Sequence, residues 1–396
     1  MATASFRPPG GQFDALVVLG FGGPERPDEL LPFLRRVIAG HNIPPSRLAE
    51  VGQHYAHFGG ISPVNGQTRA LSVALRSRLA AAGHELPVVV ANRNSPPFVP
   101  DVLAELASNG HRNILVLATS AFASYSSCRQ YREDLAAGAV SSQAVVKLPP
   151  FFELPGLEQA FATAVAAGLA GQNLATTRVL FSVHSLPVAM AAAAGPTGNV
   201  YVSQHRDLAA RIMAAAAKLA GFDVEPTWEP GAGQASSHHP RQPQGGRRTI
   251  RDQATPGHVP GEPHPTLAWE LVYQSRSGPP QVPWLEPDIS DALVVMAGQG
   301  VQQVVVVPLG FLTDHMEVIW DLDTEAAATA ATLGLGFHRV ATPGDSPVFL
   351  DSLTKWVTQY LTHPTGPSQS GQTCFGDCCL VRSPGAAAVD TVQILG

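Results

Sequence analysis

A histidine and a glutamate each stand just behind a run of apolar residues. Val179, Leu180, Phe181 and Val183 lead into His184, Ser185, Leu186 and Pro187. Val304, Val305, Val306 and Val307 lead through Pro308, Leu309 and Gly310 into Asp314, His315, Met316 and Glu317. A neutral imidazole near its ordinary pKa is a suitable proton acceptor. His with Glu is a borderline ligand set suited to Fe²⁺ or Zn²⁺. Glu317, Asp321 and Glu325 recur at i, i+4 and i+8, which on a helix places three carboxylates along one side. Such a row repels itself and asks for a cation, so it reads as a path for a divalent metal. A solvated acidic face is the alternative for the row, and a structural side chain is the alternative for His184. Against the first, the row begins at the end of a buried strand, where solvated faces seldom start.

Thiols form a second constellation. The chain has four cysteines, and Cys374, Cys378 and Cys379 fall within one short stretch of a Gly/Ser/Pro-rich tail. The fourth, Cys128, lies in Ser126-Ser127-Cys128-Arg129-Gln130-Tyr131. In a reducing compartment such clustering suggests metal or cluster ligation before disulfides. Four thiolates suit a [2Fe-2S] cluster or structural zinc. Adjacent cysteines crowd a single tetrahedral ion, which favours two irons; unligated thiols are the remaining alternative.

These groups need elements to position them. Proline after His184 ends a strand because it has no N–H to donate. The histidine is thereby delivered at the carboxyl end of a strand, where open α/β sheets bind ligands. Ala15 to Leu19 is another buried strand, breaking at Gly20-Phe21-Gly22-Gly23-Pro24 into a turn through which backbone can approach a ligand. A helix over 27–39 follows. His54-Tyr55-Ala56-His57-Phe58-Gly59-Gly60-Ile61-Ser62-Pro63 reads as a loop built to present side chains. Helices over 66–82 and 100–109 alternate with strands over 86–91 and 114–118, the order of a parallel sheet covered by helices. The pattern then restarts, with helices over 154–169, 200–220 and 289–299 and strands over 179–183, 269–275 and 301–308. A last helix lies over 349–361. The economical architecture is two open α/β halves with a cleft between them.

Composition narrows the classes. The 396 residues are 45% hydrophobic and 14% charged, which allows a core in each of two domains. A net charge of -6 gives no sign of a nucleic-acid partner. Residues 1–12 lack the basic-then-apolar order of a signal peptide. No apolar run approaches the roughly 20 residues that span a bilayer, so a soluble cytoplasmic protein is expected; a monomer is taken as the default, with the oligomeric state open. Residues 229–265 break the rhythm with seven prolines, six glycines and four histidines. Such a segment cannot bury enough surface to offset its ordering entropy. It reads as a disordered insertion or a faulty gene model, although His238, His239, His258 and His264 could bind metal.

The motifs together resemble a known family. Phe181-Ser182-Val183-His184-Ser185-Leu186-Pro187 is similar to the catalytic strand end of ferrochelatases, enzymes that insert Fe²⁺ into a porphyrin. Tyr273-Gln274-Ser275-Arg276-Ser277-Gly278-Pro279 with Trp284-Leu285-Glu286-Pro287 resembles a second signature. Gly310-Phe311-Leu312-Thr313-Asp314-His315-Met316-Glu317 resembles a third, and the Gly22-Gly23-Pro24 and Gly59 to Pro63 segments fit as well. They occur in family order over about residues 14–360, most similar to the actinobacterial type.

The resemblance implies two Rossmann-like domains with parallel four-stranded sheets flanked by helices and a porphyrin cleft between them. It implies residues 13–150 plus 345–362 as one domain and 151–344 as the other, with 229–265 an insertion and 363–396 a tail carrying cluster cysteines. It implies insertion of Fe²⁺ into coproporphyrin III, with protoporphyrin IX or another tetrapyrrole as alternative substrates. A non-catalytic tetrapyrrole carrier or iron–sulfur sensor is the reading from another class.

His184 and Glu317 would face each other across the porphyrin, sharing the proton-accepting and metal-positioning roles, with Asp321 and Glu325 continuing an acidic row. Which of the two is the base stays open. Some relatives have a tyrosine approaching the metal where this chain has Phe21, which lacks a ligating oxygen. Ser62 and Tyr131 lie in segments resembling propionate-contacting loops. Tyr55, Tyr125 and Arg129 are further candidates, since hydroxyls and guanidinium suit carboxylates. Cys128, Cys374, Cys378 and Cys379 correspond to the ligands of a [2Fe-2S] cluster.

Overall fold

Buried parallel strands read as unbroken apolar runs because helices cover both faces of the sheet. Ala15-Leu16-Val17-Val18-Leu19-Gly20 is such a run, and all six residues are buried. The computed structural model describes residues 12–39, 45–224, 266–278, 281–362, 378–379 and 393–394. The segment 229–265 and Cys374 lie outside them.

The first half contains β1 (Ala15–Gly20), α1 (Leu30–Val37), α2 (Pro45–His57), α3 (Val64–Ala81), β2 (Val88–Asn92), α4 (Val99–Ser108), β3 (Asn113–Ala118), α5 (Gln130–Gly138) and β4 (Ala144–Lys147). The second begins with α6 (Pro155–Leu169), β5 (Thr177–His184), α7 (Val188–Ala192), α8 (Val200–Ala220), β6 (Asp223–Val224) and β7 (Thr266–Gln274). It continues with α9 (Ile289–Gly298), β8 (Gln303–Val307), α10 (Met316–Trp320), α11 (Ala327–Thr332), β9 (Gly336–Arg339) and α12 (Pro347–Thr362). In the tail, β10 (Gln393–Ile394) pairs with β4.

Two all-parallel sheets result, β10-β4-β3-β1-β2 and β6-β7-β5-β8-β9. The expected four strands form the body of each, and a two-residue strand widens each at one edge. Read from β9, the second sheet runs 9-8-5-7, the same winding as 4-3-1-2 in the first. The two halves are a structural repeat. An isolated bridge between Asn92 and Phe98 in one half has its counterpart between Tyr273 and Asp288 in the other.

One continuous apolar core joins the halves. It runs from Leu16 and Val18 through Leu71, Leu75 and Leu79 to Phe181 and Val183, with Phe161, Leu208 and Ile212 from α6 and α8. Phe349, Leu353, Trp356 and Val357 of α12 close it, packing between α3 and α6. Among the described residues, no helix is long and apolar enough to cross a membrane.

Some elements differ from the sequence reading. His54, Tyr55 and His57 are not in a loop; they form the last turns of α2. Leu48, Val51 and Tyr55 make its apolar stripe and share one cluster with Phe58 just past its end, a helical spacing obscured by the adjacent glycines. The short strands β4 and β9, four residues each, lack the apolar run that marks β1 or β8. The helix carrying the acidic row is not uniform. A wide π-helical turn, Asp321–Ala326, separates α10 from α11, and a similar turn, Tyr125–Arg129, precedes α5.

Candidate active site

In an open parallel sheet, ligands bind beyond the carboxyl ends of the strands where the winding reverses. In the second sheet that point is β5, with β7 on one side and β8 on the other. His184 is its last residue. In the first sheet the point is β1, and Phe21 follows its last residue.

His184 has a defined tautomer. Its Nδ1 lies 2.7 Å from the Ser185 carbonyl oxygen. A carbonyl only accepts, so Nδ1 carries the hydrogen and Nε2 the lone pair. Burial lowers the pKa of the ring below its ordinary value, opposed by the charge of Glu317. The imidazole is therefore neutral at physiological pH, with its basic nitrogen available.

Glu317 lies on α10, the helix after β8, and its charge is coupled to that of His184. Burial by itself would raise its pKa. The His315 ring, hydrogen-bonded to Oε2, outweighs burial and with His184 brings the carboxyl down to about 2. Gln274, 1% exposed, braces both jaws. Its Nε2 donates to the Glu317 carbonyl at 2.7 Å, its Oε1 accepts from the Ser182 hydroxyl, and its carbonyl accepts from the Ser185 N–H at 2.7 Å.

Asp321 behaves in the opposite way. Burial pushes its carboxyl up to about 7 against the hydroxyl of Ser275, and Glu317, Glu325 and Asp288 add repulsion. Ser275 takes φ 64°, a left-handed conformation that costs a non-glycine residue energy and clusters at functional sites. Four residues of α-helix overshoot one turn by about 40°. The wider turn from Asp321 to Ala326 offsets that drift between Asp321 and Glu325. Glu317 and Asp321 are both half-buried, and Glu325 at the far end of the row is exposed.

The first half covers this row. Tyr55 on α2 is buried with Phe33 and Met316, and Phe21 and Trp320 pack on the same cluster. Trp320 stacks on His54 at 4.1 Å with an interplanar angle of 11°. Burial, then the charges of Glu317 and Asp321, raise the Tyr55 phenol well above its ordinary pKa, so it faces the carboxylates as a neutral group.

Ser62 is buried beside the turn that follows Phe21. Its N–H donates to the Pro24 carbonyl at 2.8 Å, and a Cβ added at Gly23 would stand 2.7 Å from its own Cβ. The structure thus brings Phe21, Ser62, Tyr55, His184, Glu317 and Asp321 to the strand ends. It engages Tyr125 and Arg129 with Glu133, at 3.0 and 2.8 Å, and Arg129 also reaches the Cys378 carbonyl at 3.4 Å. Tyr131 packs in the core beneath β1 and β3, with the Arg93 guanidinium 6.0 Å from its ring. Gln274, Ser275, Asp288 and the bond of His315 to Glu317 were not foreseen. Gln274 and Ser275 sit inside a recognisable motif, but only pairing with β5 and α10 shows what they hold.

Of the cysteines, Cys128, Cys378 and Cys379 are buried. The last two pack with Ala123 and Val200, their sulfurs 3.7 Å apart. Cys379 takes φ 61°, and its Sγ accepts from the Gly195 N–H at 3.1 Å. Lys147, 1% exposed, places Nζ 3.6 Å from Cys128 Sγ. Among the described residues, no three His, Cys, Asp or Glu side chains converge as a metal site.

Asp321 gives a stability test. The folded state holds its proton to about pH 7, whereas the unfolded carboxyl loses it near 3.8. The stability contributed by that proton is full below pH 3.8 and is lost as pH rises through about 7. Asp321→Asn should therefore melt a few degrees above the parent at pH 8, with the gap closing towards pH 4. An equal gap at both pH values in thermal melts would refute the raised carboxyl.

Known proteins resemble this chain over most of its length. The coproporphyrin III ferrochelatase of Propionibacterium freudenreichii subsp. freudenreichii is 45% identical over 377 residues, 93% of this chain and 94% of that protein. The proteins of the same name from Streptomyces griseus subsp. griseus and Nocardia farcinica are 40% and 41% identical over 401 and 395 residues. These cover 95% of this chain and 96% and 99% of those proteins. A solved structure described as SirB from Bacillus subtilis with Fe3+ is more distant, at 11% identity and a TM-score of 0.46 over 89% of this chain and 97% of that one. The family model described as Ferrochelatase matches residues 13–361, and the chain belongs to the ferrochelatase family.

Proposed function

We propose that this chain inserts ferrous iron into coproporphyrin III, releasing two protons. The observation that carries the reading is a neutral His184, lone pair on Nε2, coupled to an anionic Glu317 at the head of a row of carboxylates. The choice of coproporphyrin III rests on the names of the relatives.

Metal insertion requires a porphyrin to lose two N–H protons and an aqueous cation to shed water. His184 Nε2 is the proton acceptor. Glu317, with a pKa of about 2, is a poor base at neutral pH and acts as the fixed negative charge that draws the cation inward. Asp321, poised at about 7, exchanges a proton readily and suits passing protons released at the site towards solvent-facing Glu325. Phe21, directly after β1, and Ser62, after α2 and against the same glycine turn, form the substrate wall opposite. Tyr125, bonded to Glu133, is a further substrate contact on this reading, and Tyr131 supports Arg93 from within the core.

The test is an anaerobic assay with Fe²⁺ and each of coproporphyrin III and protoporphyrin IX. Faster metalation of coproporphyrin III is expected. Tight porphyrin binding without metalation would overturn the enzyme in favour of a carrier.

We further propose that residues 13–150 with 345–362 form one domain and 151–344 the other. Cys128, Cys374, Cys378 and Cys379 would hold a [2Fe-2S] cluster, which supplies a one-electron centre and a covalent staple for the tail. The Gly195 N–H and the Lys147 ammonium favour thiolate over thiol. Purified protein should be reddish-brown, with the visible absorption lost in Cys378→Ser. Colourless protein carrying stoichiometric zinc would exclude the cluster.

A further inference from the structure

The peptide unit joining His184 to Ser185 is held at both of its polar atoms. Its N–H, from Ser185, donates to the Gln274 carbonyl at 2.7 Å. Its carbonyl, from His184, accepts from the Tyr201 hydroxyl at 2.9 Å. The next carbonyl, that of Ser185, holds the imidazole through Nδ1. The peptide immediately before the carbonyl that holds the ring is thus anchored at both polar atoms, and Tyr201 is one of the two anchors.

Tyr201 is itself firmly seated. It lies in the first turn of α8 and is 5% exposed. Its ring meets His205 edge-on at 4.4 Å, and His205 Nδ1 bonds back to the Tyr201 carbonyl at 2.7 Å. His205 stacks on Phe122 at 3.5 Å. The adjacent Gln204 accepts from the Ala123 N–H at 2.8 Å. These contacts tie the start of α8 to the first half of the chain, so the phenol has little freedom to follow a moving strand end.

We propose that Tyr201 is a positioning residue for His184: its hydroxyl fixes the 184–185 peptide plane and so aims Nε2 at the porphyrin. The inference rests on the reading of His184 as the base. Tyr201 touches neither porphyrin nor metal in this scheme, so its loss should slow the chemical step and leave substrate binding alone.

Tyr201→Phe removes one oxygen and keeps the ring. The expected result is a fall in kcat of about tenfold with KM for porphyrin changed less than about twofold. A direct readout is available because His184-Ser185 is the only His–Ser pair in the chain. Labelling histidine with ¹³C at the carbonyl and serine with ¹⁵N yields one correlation peak, which reports the His184 carbonyl. Loss of the phenolic donor should move that peak upfield. Global 3-fluorotyrosine, which keeps the hydroxyl and makes it a stronger donor, should move it downfield, an arm that does not depend on the Phe variant folding.

A peak that does not move overturns the anchor. A moved peak with unchanged kcat overturns its positioning role. Failure of the functional reading appears separately, in the parent protein, as no metalation of either porphyrin.

Discussion

Replacing His184 by alanine should lower iron insertion by about a thousandfold while porphyrin affinity stays within a few-fold. The size follows from what is removed. On the proposed reading His184 is the base at the end of β5, with its lone pair placed on Nε2 by the Ser185 carbonyl. Glu317, at a pKa of about 2, cannot replace it as an acceptor near pH 7. Single-turnover metalation under anaerobic conditions gives the rate, and quenching of porphyrin fluorescence gives the affinity. The parent should also lose activity on acidification. Because burial lowers the ring's pKa, that limb should lie below the ordinary imidazole value, and it should be missing from the residual activity of the variant. Normal turnover in His184→Ala would sink the assignment of the base.

Glu317→Gln should be nearly as severe, about a hundredfold or more, but with a different signature. The amide keeps the shape and removes the charge, so the apparent KM for Fe²⁺ should rise more than that for porphyrin. Stability should change as well. A carboxyl lowered from 4.5 to about 2 adds stability above pH 4.5 that is lost as pH falls through about 2. The variant should therefore melt below the parent at pH 7 and approach it near pH 2. This is the reverse of Asp321→Asn, although the two carboxylates are four residues apart. An unchanged KM for Fe²⁺ together with an unchanged melt at pH 7 would mean that Glu317 carries no charge in the folded protein.

Much of this site was legible in the sequence. The run into His184-Ser185-Leu186-Pro187 specifies a strand that must stop, and the run into Pro308 specifies another. Both signals are local: apolar side chains bury, and proline ends the ladder. The Glu317, Asp321 and Glu325 spacing is equally local, and so was the restart of the α/β pattern at residue 154. Helix α2 was harder to read because its apolar stripe runs into Gly59-Gly60, whose φ values of 73° and 74° belong to the turn that ends it. The strands β4 and β9 were harder still, since four mixed residues gain their register only from the neighbouring strand.

The sequence by itself determined residue types, their placement at strand ends, and the doubling of one α/β unit. Tertiary structure alone sets the electrostatics of the two jaws. A pKa depends on what surrounds a group in space, and His315, Ser275 and Asp288 act on Glu317 and Asp321 only after the chain has folded. The same holds for the two anchors of the His184 peptide. Gln274 and Tyr201 stand 90 and 17 residues away along the chain, counted from the numbering, and nothing in that separation predicts their hydrogen bonds. Periodicity records which face of an element is buried, whereas a site is made where faces of different elements meet.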